Sequence, residues 1–199
     1  AKTLCAGIPQ TAFYVEKQPE EKDIDFLYAG SLYQHKGVEL LLRVIPQMQE
    51  KWRFAFAGSG PYEPQIRQLS QNYPVEYLGS LGQQALRKAY NRSRFLVLPS
   101  HGETFGLVVS EAIFCGCPAI VSPVGGLPMQ VQEGVNGTLL PEISEKALLH
   151  TLQQMGALSA REYRRLWANT CQSNQQFSLQ AVCQELLSLY RINRTANEH

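Results

Sequence analysis

Ile24-Asp25-Phe26-Leu27-Tyr28-Ala29-Gly30 is a short apolar run closed by a glycine, and Val38 to Gln49 carries Val38, Leu41, Leu42 and Ile45 at helical spacing. A short apolar run followed by a periodic one reads as a buried strand and then a helix. The same pair recurs along the chain. Arg53 to Ala57 ends at Gly58 and leads into a helix over Pro61 to Gln71, with Pro61 suited to its first turn. Val75 to Leu78 ends at Gly79 and precedes a helix over Gln83 to Asn91. Phe95 to Leu98 stops at Pro99 before a helix from about Phe105 to Cys115. Ala119 to Val121 and Thr138 to Leu140 are the last two short strands. Strand and helix in alternation imply an α/β domain: a parallel sheet of about six strands with helices on both faces. In such sheets ligands bind beyond the carboxyl ends of the strands, so the loops after the strands should carry the function.

Outward from that core, residues 1–23 read as a lead-in, because Pro9, Pro19 and the charged run Glu20-Glu21-Lys22-Asp23 break any periodicity. Residues 24–158 form the α/β domain. The chain from about Ser144 to Asn193 reads as entirely helical, and residues 159–199 are expected to pack on the same domain. Tyr163, Leu166 and Trp167 fit one apolar stripe; Val182, Leu186, Leu189 and Tyr190 fit another.

Composition narrows the function. With 44% hydrophobic residues the 199-residue chain can bury a core. Lys plus Arg (18) nearly balance Asp plus Glu (17), which gives no electrostatic case for nucleic acid or an anionic membrane. The basic group Arg161, Arg164 and Arg165 is expected on a solvated helix face. No apolar run approaches the roughly 20 residues of a membrane span. There is no signal peptide pattern, and the chain starts at Ala1, as an excised piece of a longer protein would. Five cysteines (Cys5, Cys115, Cys117, Cys171, Cys183) without paired CxxC spacing argue against both a disulfide framework and a zinc site. Buried thiols at Cys115 and Cys117 and a reducing cytoplasm are expected.

Four strand-end loops could carry chemistry. Gly30-Ser31-Leu32-Tyr33-Gln34-His35-Lys36-Gly37 combines glycines, a hydroxyl and a lysine before a helix, whose free N–H groups and positive end suit phosphate. It lacks the GxxxxGK[ST] order of a P-loop. Gly58-Ser59-Gly60-Pro61 is half a dinucleotide fingerprint, with Glu63 where the third glycine belongs, and reads equally as a tight turn. The most informative stretch runs Pro99-Ser100-His101-Gly102-Glu103-Thr104-Phe105-Gly106-Leu107-Val108-Val109-Ser110-Glu111. If helical throughout, Glu103 and Glu111 stand roughly 12 Å apart along the axis. That span fits a sugar at one end and a ribose at the other, with the N–H groups near Phe105, Gly106 and Leu107 facing a diphosphate between them. Gly125-Gly126-Leu127-Pro128 would let backbone approach a ligand, and Gly134-Val135-Asn136-Gly137 reads as a turn with Asn136 and Gly137 able to take positive φ.

In this order the motifs resemble one family: the C-terminal domain of retaining GT-B glycosyltransferases of the family 4 type, the glycosyl transferases group 1 domain. The resemblance runs from about Ile24 to Leu140, through the Gly30 to Gly37 loop, Ala57 to Pro61, Val75 to Gly79, Val97 to Ser100, Glu103 to Glu111, Gly116-Cys117-Pro118, Gly125 to Pro128 and Gly134 to Gly137; Phe177-Ser178 and the closing helix resemble the family's ending. It implies a Rossmann-like fold with a helical C-terminal tail, and a nucleotide diphosphate sugar as donor substrate, without metal or other cofactor. Lys36 would stabilise the leaving diphosphate, Glu103 would bond the transferred sugar, and these two would be the catalytic pair. Gly30, Ser31, Thr104, Phe105, Gly106 and Leu107 would line the donor, Glu111 would bond the ribose, and Gly79 would lie near the base. The acceptor, a glycan or lipid-linked saccharide, would bind an N-terminal domain missing from these 199 residues. The fragment alone is therefore expected to be inactive, and the whole enzyme to work in the cytoplasm, the inner face of a membrane included.

Two positions depart from the family: Ser31 stands where Arg is common, and Met129 where Glu often follows the Gly-Gly-x-Pro turn. They leave open a second reading, a non-catalytic nucleotide or nucleotide-sugar module of the same fold. A third, an NAD-dependent oxidoreductase, needs the glycine that Glu63 replaces.

Overall fold

The computed structural model describes residues 7–48, 52–173 and 178–196. The apolar runs become six strands: β1 (Ile24–Ala29), β2 (Phe54–Ala57), β3 (Val75–Gly79), β4 (Ser93–Leu98), β5 (Ala119–Val121) and β6 (Gly137–Leu139). They form one sheet in the order β3-β2-β1-β4-β5-β6, every pairing parallel. The chain winds outward from β1 to β3, returns to the other side of β1, and winds outward again. The crevice between the carboxyl ends of β1 and β4 is thus the topological switch point. Central strands covered on both faces need unbroken apolar sequence. β2 and β5 are buried throughout, whereas the edge strands β3 and β6 are half-exposed toward their ends. Phe26 lies in register with Phe54 and Phe95, and its ring stacks on both at 5.0 and 5.7 Å between centroids.

The helices are α1 (Val38–Val44), α2 (Glu63–Leu69), α3 (Gln83–Arg92), α4 (Leu107–Phe114), α5 (Leu127–Gln130), α6 (Glu145–Gly156), α7 (Ala160–Ser173) and α8 (Leu179–Ala196). Several boundaries differ from the sequence expectation. α1 stops at Val44 and tightens into a 3-10 turn over Ile45–Gln47, because Pro46 cannot continue an α-helical ladder; Gln49 lies outside the described residues. Pro64, not Pro61, occupies the first turn of α2, since Tyr62 N–H is drawn to the Leu32 carbonyl (3.3 Å). α4 begins at Leu107, two residues late, because Gly106 is left-handed (φ 80°). The helical C-terminal region divides into three. The Ser144 hydroxyl caps α6 by accepting Ala147 N–H, and Ser159 and Glu162 cap α7 reciprocally.

Tyr163 and Leu166 are buried and Trp167 half-buried, so that stripe packs as expected. On α8 Val182 is buried but Leu186 is 47% exposed, so the second stripe does not face the core along its length; the side chains of Leu189 and Tyr190, and all of Phe177 and Cys5, lie outside the described residues. Cys115 and Cys117 are buried thiols, and burial pushes Cys117 up to about 12. The arginine group is exposed, with Arg164 paired to Glu20.

Residues 7–23 are bound to the domain. Ile8 and Phe13 are buried, and Ile8 pairs with Ser178 ahead of α8. Asn91, 1% exposed in α3, accepts Glu16 and Lys17 N–H (2.6 and 3.2 Å) and donates to the Tyr14 and Arg87 carbonyls (3.0 and 3.1 Å).

Candidate functional site

The loops after β1 and β4 meet at the switch point. After Ala29 the chain passes Gly30 and Ser31, whose carbonyl accepts the Tyr28 hydroxyl at 2.7 Å. Gln34–Lys36 forms a 3-10 turn closed by left-handed Gly37, which starts α1. The β4 loop is sewn onto that turn: His101 and Gly102 N–H both donate to the His35 carbonyl (2.9 and 3.4 Å). A β-carbon on Gly37 would lie 1.9 Å from the Pro99 carbonyl oxygen, so only glycine permits this approach. His101 Nε2 also meets Glu39 Oε1 at 2.7 Å, a bridge between α1 and the β4 loop that no motif announced.

That stitching brings Lys36 Nζ to 2.7 Å from Glu103 Oε2, with the two side chains 19% and 14% exposed. The other Glu103 oxygen accepts Thr104 N–H at 3.1 Å. Behind them the β5 loop closes in: Gly126 N–H donates to the Thr104 carbonyl (2.9 Å), and a β-carbon on Gly125 would lie 1.7 Å from the Glu103 carbonyl oxygen. The close approach expected of Gly125-Gly126 is therefore made to the Glu103 loop itself.

A cavity of about 400 Å³ opens in front of this pair, with Gly30, Ser31, Thr104, Phe105, Gly106 and Leu107 also on its walls. Lys36 is the single cation, and Glu103 the single carboxylate, among the described residues lining it. A second depression of about 270 Å³ adjoins it, sharing Gly30, Ser31 and Val108 and bounded by Ser80, Leu81 and Leu86. The two make one trough, charged at one end and largely apolar at the other. Gly79 ends β3 just before that apolar end, its carbonyl accepting Gly58 N–H at 2.8 Å. Gly58 itself packs against the Gly30 backbone, a close-approach role rather than a dinucleotide fingerprint.

The helical ruler between the two glutamates does not hold. Only Leu107 to Glu111 is helical, a rise of about 6 Å. Glu103 to Gly106 is loop, folded against Gly125 and Gly126. The Leu107 and Val108 N–H groups still open α4 with no helical carbonyl behind them and sit on the cavity wall. Glu111 is set back from the wall and half-buried, and Tyr90 OH donates to its Oε2 at 3.0 Å. Burial pushes the Glu111 carboxyl above the usual carboxylate range, against the opposing pull of the Tyr90 hydrogen bond.

Two further residues shape the site. Gln130, 1% exposed at the end of α5, donates to the Phe105 carbonyl and accepts the Ser110 hydroxyl at 2.5 Å, so it holds the turn into α4. Its one sequence signal is an amide beside Val131 in an otherwise apolar turn. In the Gly134 to Gly137 turn Gly137 (φ 159°) takes positive φ as expected, and so does Gly134 (φ 69°), but Asn136 does not; Asn136 is buried, accepts Gln132 N–H and donates to the Gln130 carbonyl. Among the described residues no cluster of three His, Cys, Asp or Glu side chains could hold a metal, and no helix is long and apolar enough to cross a membrane.

The sequence model of the glycosyl transferases group 1 family matches residues 10–172. This chain belongs to that family. An uncharacterised glycosyltransferase of Methanocaldococcus jannaschii is 30% identical over 183 residues, 88% of this chain and 46% of that protein. A sulfoquinovosyl transferase of Arabidopsis thaliana is 36% identical over 116 residues, 57% of this chain and 22% of that protein. The chain thus spans about half the length, or less, of these curated relatives. Among solved structures, the sucrose-phosphate synthase of Thermosynechococcus elongatus superposes with a TM-score of 0.79 at 28% identity, over 96% of this chain and 52% of that one. The C-terminal domain of the group 1 glycosyltransferase LpcC of Francisella tularensis is matched along its whole length, over 87% of this chain (TM-score 0.73, 17% identity). The Anabaena protein HepE, solved with UDP-glucose, gives a TM-score of 0.79 at 18% identity, over 96% of this chain and 57% of that one. The six-stranded parallel sheet with its helices is the Rossmann-like fold of GT-B C-terminal domains.

Proposed function

We propose that this chain is the donor-binding half of a retaining glycosyltransferase that moves a hexose from a nucleotide diphosphate sugar. The observation that carries the reading is the trough: a lone Lys36–Glu103 pair at one end, two helix-opening N–H groups beside it, and Leu81 and Leu86 at the other. A diphosphate entering there meets Lys36 and the positive end of α4. As the glycosidic bond breaks, charge grows on the departing phosphate, and a preorganised cation and dipole stabilise it. Glu103, oriented by Lys36 and Thr104 N–H, accepts hydroxyls of the transferred sugar. The base lies against Leu81 and Leu86, and the ribose hydroxyls reach Glu111. UDP-sugars are the first donors to test, since HepE, of the same fold, was solved with UDP-glucose.

The acceptor, a glycan or lipid-linked saccharide, is held by an N-terminal domain occupying the remaining length of the relatives, in the cytoplasm or at the inner face of a membrane. This half alone does not turn over. Calorimetric titration with UDP, GDP, ADP and their sugar conjugates tests the reading. One nucleotide should bind, and Lys36→Ala and Glu111→Ala should both weaken it. Absence of binding even when the N-terminal half is joined would refute it. Ser31 and Met129, which withhold the charges common in the family, favour a non-catalytic binding module; binding without turnover by the full-length protein would support that alternative.

A further inference from the structure

We infer that Tyr90 is a positioning residue, which holds the Glu111 carboxylate for the two hydroxyls of a ribose; this rests on the donor-binding reading above. Tyr90 is fully buried on α3, its ring tilted against Phe13 at 6.1 Å between centroids. Its hydroxyl reaches Glu111 Oε2 at 3.0 Å, and Oε1 takes no hydrogen bond from a described residue. An ionised carboxylate offers about four acceptor sites, so one phenol leaves room for a vicinal diol. A neutral carboxylic acid would turn one of those acceptors into a donor and fit a diol poorly.

The surroundings of Glu111 make its ionisation depend on that phenol. Burial raises the Glu111 carboxyl, and the Tyr90 hydrogen bond is what lowers it again. Among the described residues the neighbouring elements supply no compensating cation; Arg87, one turn before Tyr90 on α3, pairs with Glu16 instead. α5 brings the neutral amide of Gln130, bonded to Ser110 one residue before Glu111. α7 brings Trp167 and Cys171 against Gly116. Cys115 and Cys117 follow α4 as thiols that burial keeps protonated. Lys22 donates to the Tyr90 carbonyl rather than to the phenol. Tyr90 thus fixes where the carboxylate sits and extends to lower pH the range in which it remains an acceptor.

The test is calorimetric titration of the 199-residue chain with UDP, ADP and GDP, followed by the 2′-deoxy form of whichever binds tightest, over a pH series. In the wild type the ribonucleotide should bind about tenfold tighter than its deoxy form, the value of one hydrogen bond to a charged group. Tyr90→Phe, which keeps the ring, should narrow that ratio and move the acid limb of binding to higher pH. A fluorinated tyrosine at position 90, a stronger donor of the same shape, should move the limb the opposite way and serves if Tyr90→Phe fails to fold. An unchanged ratio and acid limb in both replacements overturn the role of Tyr90 and leave the donor site standing. Failure of the wild-type chain to bind any of the three nucleotides, with the N-terminal half joined as well as without it, overturns both.

Discussion

The Lys36 ammonium and the Glu103 carboxylate meet at 2.7 Å across 67 residues of sequence, one carried by the loop after β1 and the other by the loop after β4. The pair lies at the crevice between two strands that are adjacent in the sheet but separated by two strand–helix units in the chain. With a single cation on the wall, the site relies on Lys36 for its full positive charge. Lys36→Met should weaken nucleoside diphosphate binding about ten- to hundredfold, since a charge-assisted contact is lost while Glu103 remains. Calorimetry against the wild type measures it, and raising the salt concentration should shrink the difference.

Gly125 supports Glu103 from behind, and its replacement separates steric from conformational effects. Gly125→Ala puts a β-carbon 1.7 Å from the Glu103 carbonyl oxygen at φ 55°. Gly134→Ala puts one at φ 69° with nothing within 4 Å. Urea unfolding should show a loss of about 1 kcal/mol for Gly134→Ala, the price of a left-handed alanine. Gly125→Ala should lose at least about 3 kcal/mol, and nucleotide binding with it.

Asn91 latches residues 14–17 to α3 through three hydrogen bonds, to Glu16 N–H, Lys17 N–H and the Tyr14 carbonyl. Asn91→Ala leaves partly buried backbone groups unpaired and should lower stability by about 1–2 kcal/mol. Limited proteolysis should then cut within residues 10–20 well before global unfolding, because the latch is lost while the sheet remains.

Glu111 makes stability depend on pH in a fixed direction. Its folded pKa is raised above the ordinary 4.5, so the folded state holds the proton longer than the unfolded chain does. The stability this gives is present in full below 4.5 and is lost as pH rises through the folded value. Glu111→Gln should therefore raise the urea midpoint at neutral pH, with the gain vanishing below 4.5. Asp23 works oppositely. The Arg92 hydrogen bond lowers its carboxyl, so its contribution is present above 3.8 and disappears in acid; Asp23→Asn should lose midpoint at neutral pH only.

The sequence by itself determined the sheet and the loops that matter. Unbroken apolar runs such as Phe54 to Ala57 can be satisfied only by burial on both faces, and Gly30, Gly58 and Gly79 mark where those runs end. The order of strand, loop and helix then places Ser31, Lys36 and Glu103 beyond the carboxyl ends of the strands before any coordinates are known. The tertiary structure decided what those residues do to one another. Strand order, which no local pattern encodes, makes β1 and β4 neighbours and closes the Lys36–Glu103 pair. The start of α4 depends on Gly106, whose left-handed turn is fixed by contacts from Gln130 and Leu127, some twenty residues downstream. The 12 Å helical span failed for that reason: helix rise is a local property, and the four residues from Glu103 to Gly106 answer to the β5 loop instead. Tyr90 and Asn91 were equally hidden, because a hydrogen-bond partner far along the chain leaves no periodicity in sequence, and only packing brings donor and acceptor together.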